Sequence, residues 1–173
     1  IALCILSAVN VGGLNDLSEL ENICDLSVRA LEQIIDYQDY PVKAAEVSTK
    51  KRRSLGIGYI GLAHYLAKNG VKYSDPKAWD LVDRLTEAFQ YNLLRASCNI
   101  AMEKGKCEGF ERTKYADGLL PIDHYKKEID EIVPHKQRMA WESLRKDIAK
   151  YGLRHSTLSA QMPSESSSVV SNE

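Results

Sequence analysis

The sequence predicts an α/β protein with few strands and long helices. Two apolar segments predict strands, residues 1–11, which Gly12-Gly13 ends, and residues 55–60, and a third strand is predicted at residues 153–160. Helical patterns separate these segments, and alternation of strands with helices is typical of α/β proteins. The small number of strands indicates part of a barrel or of a large sheet rather than a complete small fold.

The first predicted helix follows Asn15 or Asp16, either of which could cap it, and it closes before Pro41. A basic patch at residues 50–53 then precedes the second strand, and the helix after that strand ends at Gly70. Apolar residues recur every three or four positions along the first helix, which places them on one face: Leu17, Leu20, Cys24, Val28, Leu31 and Ile35.

A long helix is predicted to begin at Asp75-Pro76, because an N-cap followed by proline at the first helical position is a start signal. It runs to Gly105. Two more helices are predicted at about 123–132 and 139–151. The segment MPSESSS follows the third predicted strand and predicts the start of a final helix.

Composition excludes several classes of function. The 173 residues are 44% hydrophobic, which predicts one domain over residues 1–173. The 23 Lys and Arg nearly balance the 24 Asp and Glu, which disfavours a nucleic-acid partner, and no long uncharged apolar run predicts a membrane span. Because the chain starts at Ile1 and stops directly after a helix-start signal, we expect an internal segment truncated at both ends.

The cysteines form no metal or redox motif. None is part of a Cys-x-x-Cys pair, and the four histidines share no ligand spacing with them, so no metal site is predicted. Cys24 and Cys98 fall on apolar helical faces and are expected in the core, whereas Cys107 lies in a glycine-rich loop and is expected to be more exposed. Cys4 lies in an apolar strand, where most cysteines are inert hydrophobic residues.

Gly56, Gly58 and Gly61 spell G-x-G-x-x-G at a predicted strand-to-helix turn. A dinucleotide-binding fingerprint also needs an acidic residue roughly 20 residues on, at the end of the next strand. Asp75 lies at about that distance, but it serves better as an N-cap and no apolar strand precedes it. Close packing of the turn is therefore favoured, with a Rossmann-type NAD oxidoreductase and a purely structural helical module as alternatives.

The segment PSESSS at residues 163–168 offers backbone N–H groups and hydroxyls at a helix N-terminus, which is what an anionic phosphate needs. Ordinary helix capping by Ser164 or Ser166 is the alternative. The residues by themselves leave both interpretations open.

Several motifs in combination resemble the large (alpha) subunit of class I ribonucleotide reductases, in particular the class Ia enzymes of enterobacteria and phages. The similarity covers essentially the whole chain, in order. It implies part of the catalytic barrel, which has ten strands in two parallel five-stranded halves set antiparallel, and it implies no NAD at the glycines. The motifs are ALCILSAVN at 2–10, DYQDYP at 36–41, RRSLGIG at 52–58, HYLAKNG at 64–70, LPID at 120–123 and GLRHSTLSAQMPSESSS at 152–168.

The resemblance implies radical-based reduction of ribonucleoside diphosphates to deoxyribonucleoside diphosphates. In that chemistry a thiyl radical removes the 3′-hydrogen, the 2′-hydroxyl leaves as water, and two thiols become a disulfide. Cys4 matches one of the two redox thiols. Ser164, Glu165, Ser166 and Ser167 match the loop that binds the substrate diphosphate, mainly through backbone N–H groups and hydroxyls.

The resemblance also implies partners for the complete enzyme. These are the remainder of the alpha subunit, a small (beta) subunit that generates a metal-dependent radical, thioredoxin or glutaredoxin as reductant, and ATP or dNTP effectors. We expect this segment to bind no cofactor, to be inactive in isolation, and to reside in the cytoplasm of a bacterium or a phage-infected cell. His155 departs from the pattern, since many relatives have asparagine there.

Overall fold

The structure is a computed structural model that describes residue 3 and residues 5–132 and 136–172. Two strands and six α-helices lie in this described part, joined by short 3-10 turns. In chain order they are β1 (Ile5–Asn10), α1 (Glu19–Tyr37), α2 (Lys43–Arg52), β2 (Leu55–Ile60), α3 (Leu62–Lys68), α4 (Pro76–Lys104), α5 (Trp141–Tyr151) and α6 (Glu165–Ser171).

The sheet is parallel, as predicted. Ile5 of β1 lies opposite Leu55 of β2. On the other side of β2, the N–H of Leu55 donates to Thr157 O (3.0 Å) and the N–H of Ala160 donates to Ile57 O (3.2 Å). The segment predicted as a third strand therefore lies beside β2, but it is not a regular strand, since it forms only an isolated parallel bridge between Ile57 and Ser159. Its first half turns aside, since the N–H of Arg154 donates to the carbonyl of Ser97 on α4.

Helices α1 and α4 pack against each other, and α1 also packs against β1 and β2. The predicted apolar face of α1 is the one that is buried, and α4 starts at Pro76 and stops at Gly105, as predicted. Gly105 has φ +84°, a conformation that glycine adopts without strain. The largest fully buried side chains include Leu20, Ile35, Ile57, Leu85, Leu93, Ile100, Trp141 and Leu144.

Two further local predictions were wrong, and helix α2 was not predicted. Helix α2 was missed because it buries little, only Ala45 and Thr49, so the sequence shows no apolar face. The helix expected at 123–132 is replaced by the 3-10 turns Pro121–Asp123 and Lys127–Glu131, which bury no residue. Asp16 does not cap α1, because its carboxylate accepts the N–H of Ser18 (2.8 Å) in a turn that precedes the helix.

No helix in the parts of the chain described above has both the length and the apolar character that crossing a membrane requires.

Candidate functional site

The G-x-G-x-x-G turn is closely packed. A Cβ atom added to Gly58 would lie 2.6 Å from the carbonyl oxygen of Ala160 and 2.7 Å from Cε of Met162, closer than side chains tolerate. Gly61 has φ +76° and starts α3. The segment after the third strand thus fills the space beside Gly58, as the packing interpretation predicts. Asp75, the acidic residue considered for a ribose, accepts the N–H of Lys72 (2.9 Å).

Residues 163–168, which we call the serine turn, include the start of α6. The carbonyl of Ser164 accepts both the N–H (2.8 Å) and the hydroxyl (2.9 Å) of Ser168. The N–H groups of Glu165, Ser166 and Ser167 precede this first helical bond, and these three residues are exposed. The side chain of Ser164 makes no capping hydrogen bond, so the described structure gives no support to capping by that residue.

Two side-chain hydrogen bonds fix the chain that enters the serine turn. The amide of Gln161 donates to the carbonyl of Tyr59 at the end of β2 (2.7 Å). The hydroxyl of Ser159 donates to Oε1 of Gln90 on α4 (2.7 Å). Beside the turn lies a cleft of about 590 Å³ whose lining includes Tyr59, Gln161 and Ser164. Of the predicted diphosphate-binding residues, Ser164 therefore borders a concave surface, and the chain that enters the turn is held by β2 and α4.

Cys4, the predicted redox thiol, lies outside the described residues. The neighbouring Ile5 begins β1 and pairs with Leu55.

The other three cysteines are free and buried. Burial was predicted for Cys24 and Cys98, but Cys107 was expected to be more exposed and is only 3% exposed. Its backbone explains the difference, because the N–H of Cys107 donates to the carbonyl of Leu153 (3.1 Å) and so draws the loop against the core. Burial raises the pKa of Cys24 to about 12 and of Cys98 to about 11, and it also raises the pKa of Cys107.

A buried ion cluster that the sequence did not reveal joins α1 to Arg53, which lies between α2 and β2, and to residues 154–155. Glu32 of α1 is 1% exposed. Its Oε2 accepts Arg53 Nε (2.7 Å) and lies 3.0 Å from His155 Nε2, while its Oε1 accepts Arg154 Nε (2.7 Å). Arg53 also binds both carboxylate oxygens of Asp36, at 3.0 and 2.7 Å. The only sequence signal was that four members fall in or beside the motifs DYQDYP, RRSLGIG and GLRHS.

Burial and hydrogen bonding together fix the protonation states of this ion cluster. Burial alone would raise the pKa of Glu32, but hydrogen bonds from His155, Arg53 and Arg154 lower it to about 2. Burial lowers the pKa of His155 and outweighs the attraction of Glu32. Since an ionised carboxylate only accepts, we assign the proton of neutral His155 to Nε2, and Nδ1 then accepts the hydroxyl of Ser97 (2.9 Å). The negative charges of Glu32 and Asp36 then balance the positive charges of Arg53 and Arg154.

Within the described residues, no group of three or more His, Cys, Asp and Glu side chains is placed to hold a metal ion.

The chain is similar in sequence to known proteins of one family. A family model described as "Ribonucleotide reductase, barrel domain" matches residues 1–173. The ribonucleoside-diphosphate reductase subunit alpha of Haemophilus influenzae is 59% identical over 172 residues, which are 99% of this chain and 23% of that protein. The ribonucleoside-diphosphate reductase 1 subunit alpha of Escherichia coli K12 is 54% identical over 138 residues, 80% of this chain and 18% of that protein. The phage T4 alpha subunit is 45% identical over 174 positions, 99% of this chain and 23% of that protein.

The chain therefore spans less than a quarter of the length of these relatives. The match over its whole length confirms the resemblance that its motifs predicted. The parallel strands and surrounding helices are consistent with one portion of an α/β barrel. The chain belongs to the ribonucleotide reductase barrel-domain family.

Proposed function

We propose that the chain is the barrel segment of a ribonucleoside-diphosphate reductase alpha subunit, and that the complete subunit reduces ribonucleoside diphosphates to deoxyribonucleoside diphosphates for DNA synthesis. The observation that carries this proposal is the 59% identity over 99% of the chain to a protein of that name. Activity belongs to the complete subunit, of which this chain is less than a quarter by comparison with its relatives. The isolated chain is expected to be inactive.

The proposed reaction uses two thiols as the source of two electrons. A thiyl radical elsewhere in the subunit removes the 3′-hydrogen and later returns it. The 2′-hydroxyl leaves as water, and the two thiols give up two hydrogens as they form a disulfide. Cys4 is proposed as one of these thiols. Thioredoxin or glutaredoxin then reduces the disulfide.

The serine turn is proposed to hold the substrate diphosphate. Support comes from the N–H groups of Glu165, Ser166 and Ser167, which precede the first hydrogen bond of α6 and are aligned at its N-terminus. Ser164 borders the adjoining cleft. Because Glu165 carries a negative side chain, its backbone N–H is the group proposed to face the phosphates. Fixing the phosphates at one point would orient the ribose toward the thiols.

The complete enzyme is proposed to assemble with a small (beta) subunit whose metal-dependent radical initiates the reaction, and to respond to ATP or dNTP effectors bound outside this segment. Its proposed location is the cytoplasm of a bacterium or a phage-infected cell.

The first experiment tests Cys4. We would introduce Cys4→Ser into the complete alpha subunit and measure CDP reduction with the beta subunit, thioredoxin, thioredoxin reductase and NADPH. We expect loss of multiple turnover, because the second thiol would have no partner. The matched control is Cys98→Ala, which removes a buried thiol from α4 and should retain turnover. Unchanged turnover with Cys4→Ser would contradict the role of Cys4.

The second experiment tests the serine turn in the same assay. Ser166→Pro removes one backbone N–H in the first helical turn, where proline is tolerated. We expect KM for CDP to rise about tenfold, the usual effect of losing a charge-assisted hydrogen bond. Ser166→Ala is the control, because it keeps the N–H and should change KM less. Equal effects of the two variants would argue against backbone recognition.

A further inference from the structure

A second cleft, of about 330 Å³, lies at the opposite end of the paired strands from the serine turn. Arg52, the last residue of α2, and Thr157 both line it. The carbonyl of Arg52 accepts the N–H of Ser156 (3.0 Å), and the carbonyl of Thr157 accepts the N–H of Leu55 (3.0 Å). The cleft therefore lies near the start of β2. The serine turn lies near the end of β2, where Gln161 binds the carbonyl of Tyr59.

Several basic residues line this cleft. Arg52, Arg112, Lys114 and His124 contribute to the lining, and no carboxylate does. Among the described residues, Arg52, Arg112 and Lys114 form no ion pair. Other arginines of the chain do pair with carboxylates, including Arg29, Arg53, Arg95, Arg138 and Arg145. In a chain whose net charge is −1, this is a local excess of positive charge without a counter-charge.

The backbone that carries these basic groups is held in place. The N–H of Gly109 donates to the carbonyl of Lys51 (3.0 Å), which joins the loop to the end of α2. The hydroxyl of Thr113 donates to Phe110 O (2.7 Å), and the N–H of Leu119 donates to Lys114 O (3.0 Å). The charges thus sit on a hydrogen-bonded framework, which lowers the entropy lost when an anion binds.

We propose that this cleft binds a small organic phosphate, independently of the function proposed above. Arginine guanidinium groups match the geometry of phosphate oxygens, and two arginines face this cleft. Leu119, Leu120 and Pro121 supply an apolar wall that an organic group would contact. A mainly apolar cavity with a few convergent polar groups and a volume of about 300 Å³ or more is typical of small-molecule sites.

The test is a calorimetric titration of the intact subunit that carries this barrel, with phenyl phosphate as the probe. We expect saturable binding whose affinity falls at least about tenfold in the double variant Arg52→Gln/Arg112→Gln, because two charge-assisted contacts are lost. The control is Lys77→Gln/Lys146→Gln, which removes the same charge from exposed positions on α4 and α5 and should leave the affinity unchanged. If the arginine variant is misfolded by circular dichroism, Lys114→Gln/His124→Gln serves in its place.

Four results would overturn the proposal. Affinity that is unchanged in the basic-cleft variants, or no binding at all, would show that the cleft is not the site. If the affinity fell in Ser166→Pro instead, phenyl phosphate would bind at the serine turn and not in the cleft. If inorganic phosphate bound as tightly as phenyl phosphate, the apolar wall would add nothing to the affinity, which would contradict a site for an organic phosphate.

Discussion

Glu32 and His155 are separated by 123 residues in the sequence, yet His155 Nε2 lies 3.0 Å from Glu32 Oε2 in the interior. His155 is fully buried. The contact joins α1 to the segment that continues into the serine turn, and Arg53 brings the end of α2 to the same carboxylate. One buried carboxylate thus connects three segments, so changes at this carboxylate should affect the stability of the whole described fold.

Glu32→Gln should destabilise the fold by about 3 kcal/mol or more, since removing one member of a buried ion pair leaves an uncompensated charge. Without the Glu32 charge, Asp36 is the carboxylate of this ion cluster that remains against Arg53, which is 4% exposed, and Arg154, so one guanidinium charge is uncompensated. Urea unfolding monitored by circular dichroism measures the change.

The matched control for this prediction is Glu46→Gln. Glu46 pairs with Lys43 and Lys50 on the exposed surface of α2. Because solvent screens that pair, its loss should shift the urea midpoint little. If the urea midpoint shifted equally in Glu32→Gln and Glu46→Gln, the buried ion cluster would stabilise the fold no more than the exposed ion pairs of Glu46 do.

Stability should fall as the pH drops below 6.5, the ordinary pKa of histidine. Burial keeps the pKa of folded His155 below that value, so the unfolded chain binds a proton that the folded chain does not. One such proton gives a slope of at most about 1.4 kcal/mol per pH unit. The pKa of Glu32 is about 2 in the fold against 4.5 ordinarily, so its stabilisation is present above 4.5 and is lost only below that pH.

His155→Gln isolates the histidine contribution, because the glutamine amide can still donate to Glu32 but cannot titrate. We expect the slope of unfolding free energy between pH 5 and 6.5 to decrease in this variant, as measured by urea unfolding at several pH values. Identical slopes in the two proteins would show that His155 is not the titrating group.

Sequence patterns predicted the elements that bury a regular apolar face. The apolar face of α1 and the strand β2 are such cases, and the Asp75-Pro76 signal located the start of α4. Helix α2 escaped prediction because its position depends on tertiary contacts rather than on an apolar face. The 3-10 turns around Pro121–Asp123 were mistaken for a helix because their charges and apolar residues imitate helical spacing.

The candidate site was predicted unevenly for a similar reason. Local motifs located the serine turn and the packed glycines, since consecutive residues build them. The buried ion cluster could not be predicted, because Glu32, Arg53 and His155 meet only through the fold. Nothing in the spacing of these residues indicates that the Glu32 carboxylate accepts hydrogen bonds from Arg53, Arg154 and His155.

Gly58→Ala should destabilise the fold by about 1–3 kcal/mol, as overpacking in a close contact does. The new Cβ would lie 2.6 Å from the carbonyl oxygen of Ala160, so backbone would have to move. Gly13→Ala is the control, because nothing lies within 4 Å of its added Cβ. Thermal unfolding compares the two variants. A smaller loss for Gly58 than for Gly13 would contradict the packing role.

The same glycines permit a test against NAD binding. If Gly58 serves packing, titration with NADH should produce no saturable change in its fluorescence with the unmodified chain. Saturable binding that Gly58→Ala abolishes would instead favour the dinucleotide interpretation.

Cys24, Cys98 and Cys107 should react slowly with iodoacetamide in the native protein. Burial both blocks access and raises their pKa values, which leaves little thiolate at pH 8. Mass spectrometry of alkylated peptides, with and without urea, measures each site separately. Rapid native alkylation of Cys107 would show that the loop near Gly109 opens from the core.

Gln161→Leu should weaken substrate binding without comparable loss of stability. The variant removes the 2.7 Å hydrogen bond to the Tyr59 carbonyl, which fixes the chain entering the serine turn, while Gln161 itself is exposed. A less rigid turn aligns its N–H groups less well, so KM for CDP in the complete reductase should rise several-fold while the melting temperature changes little. Gln33→Leu makes the same chemical change on the exposed face of α1 and should leave KM unchanged. If both variants raised KM alike, the hydrogen bond to Tyr59 would not be what positions the turn.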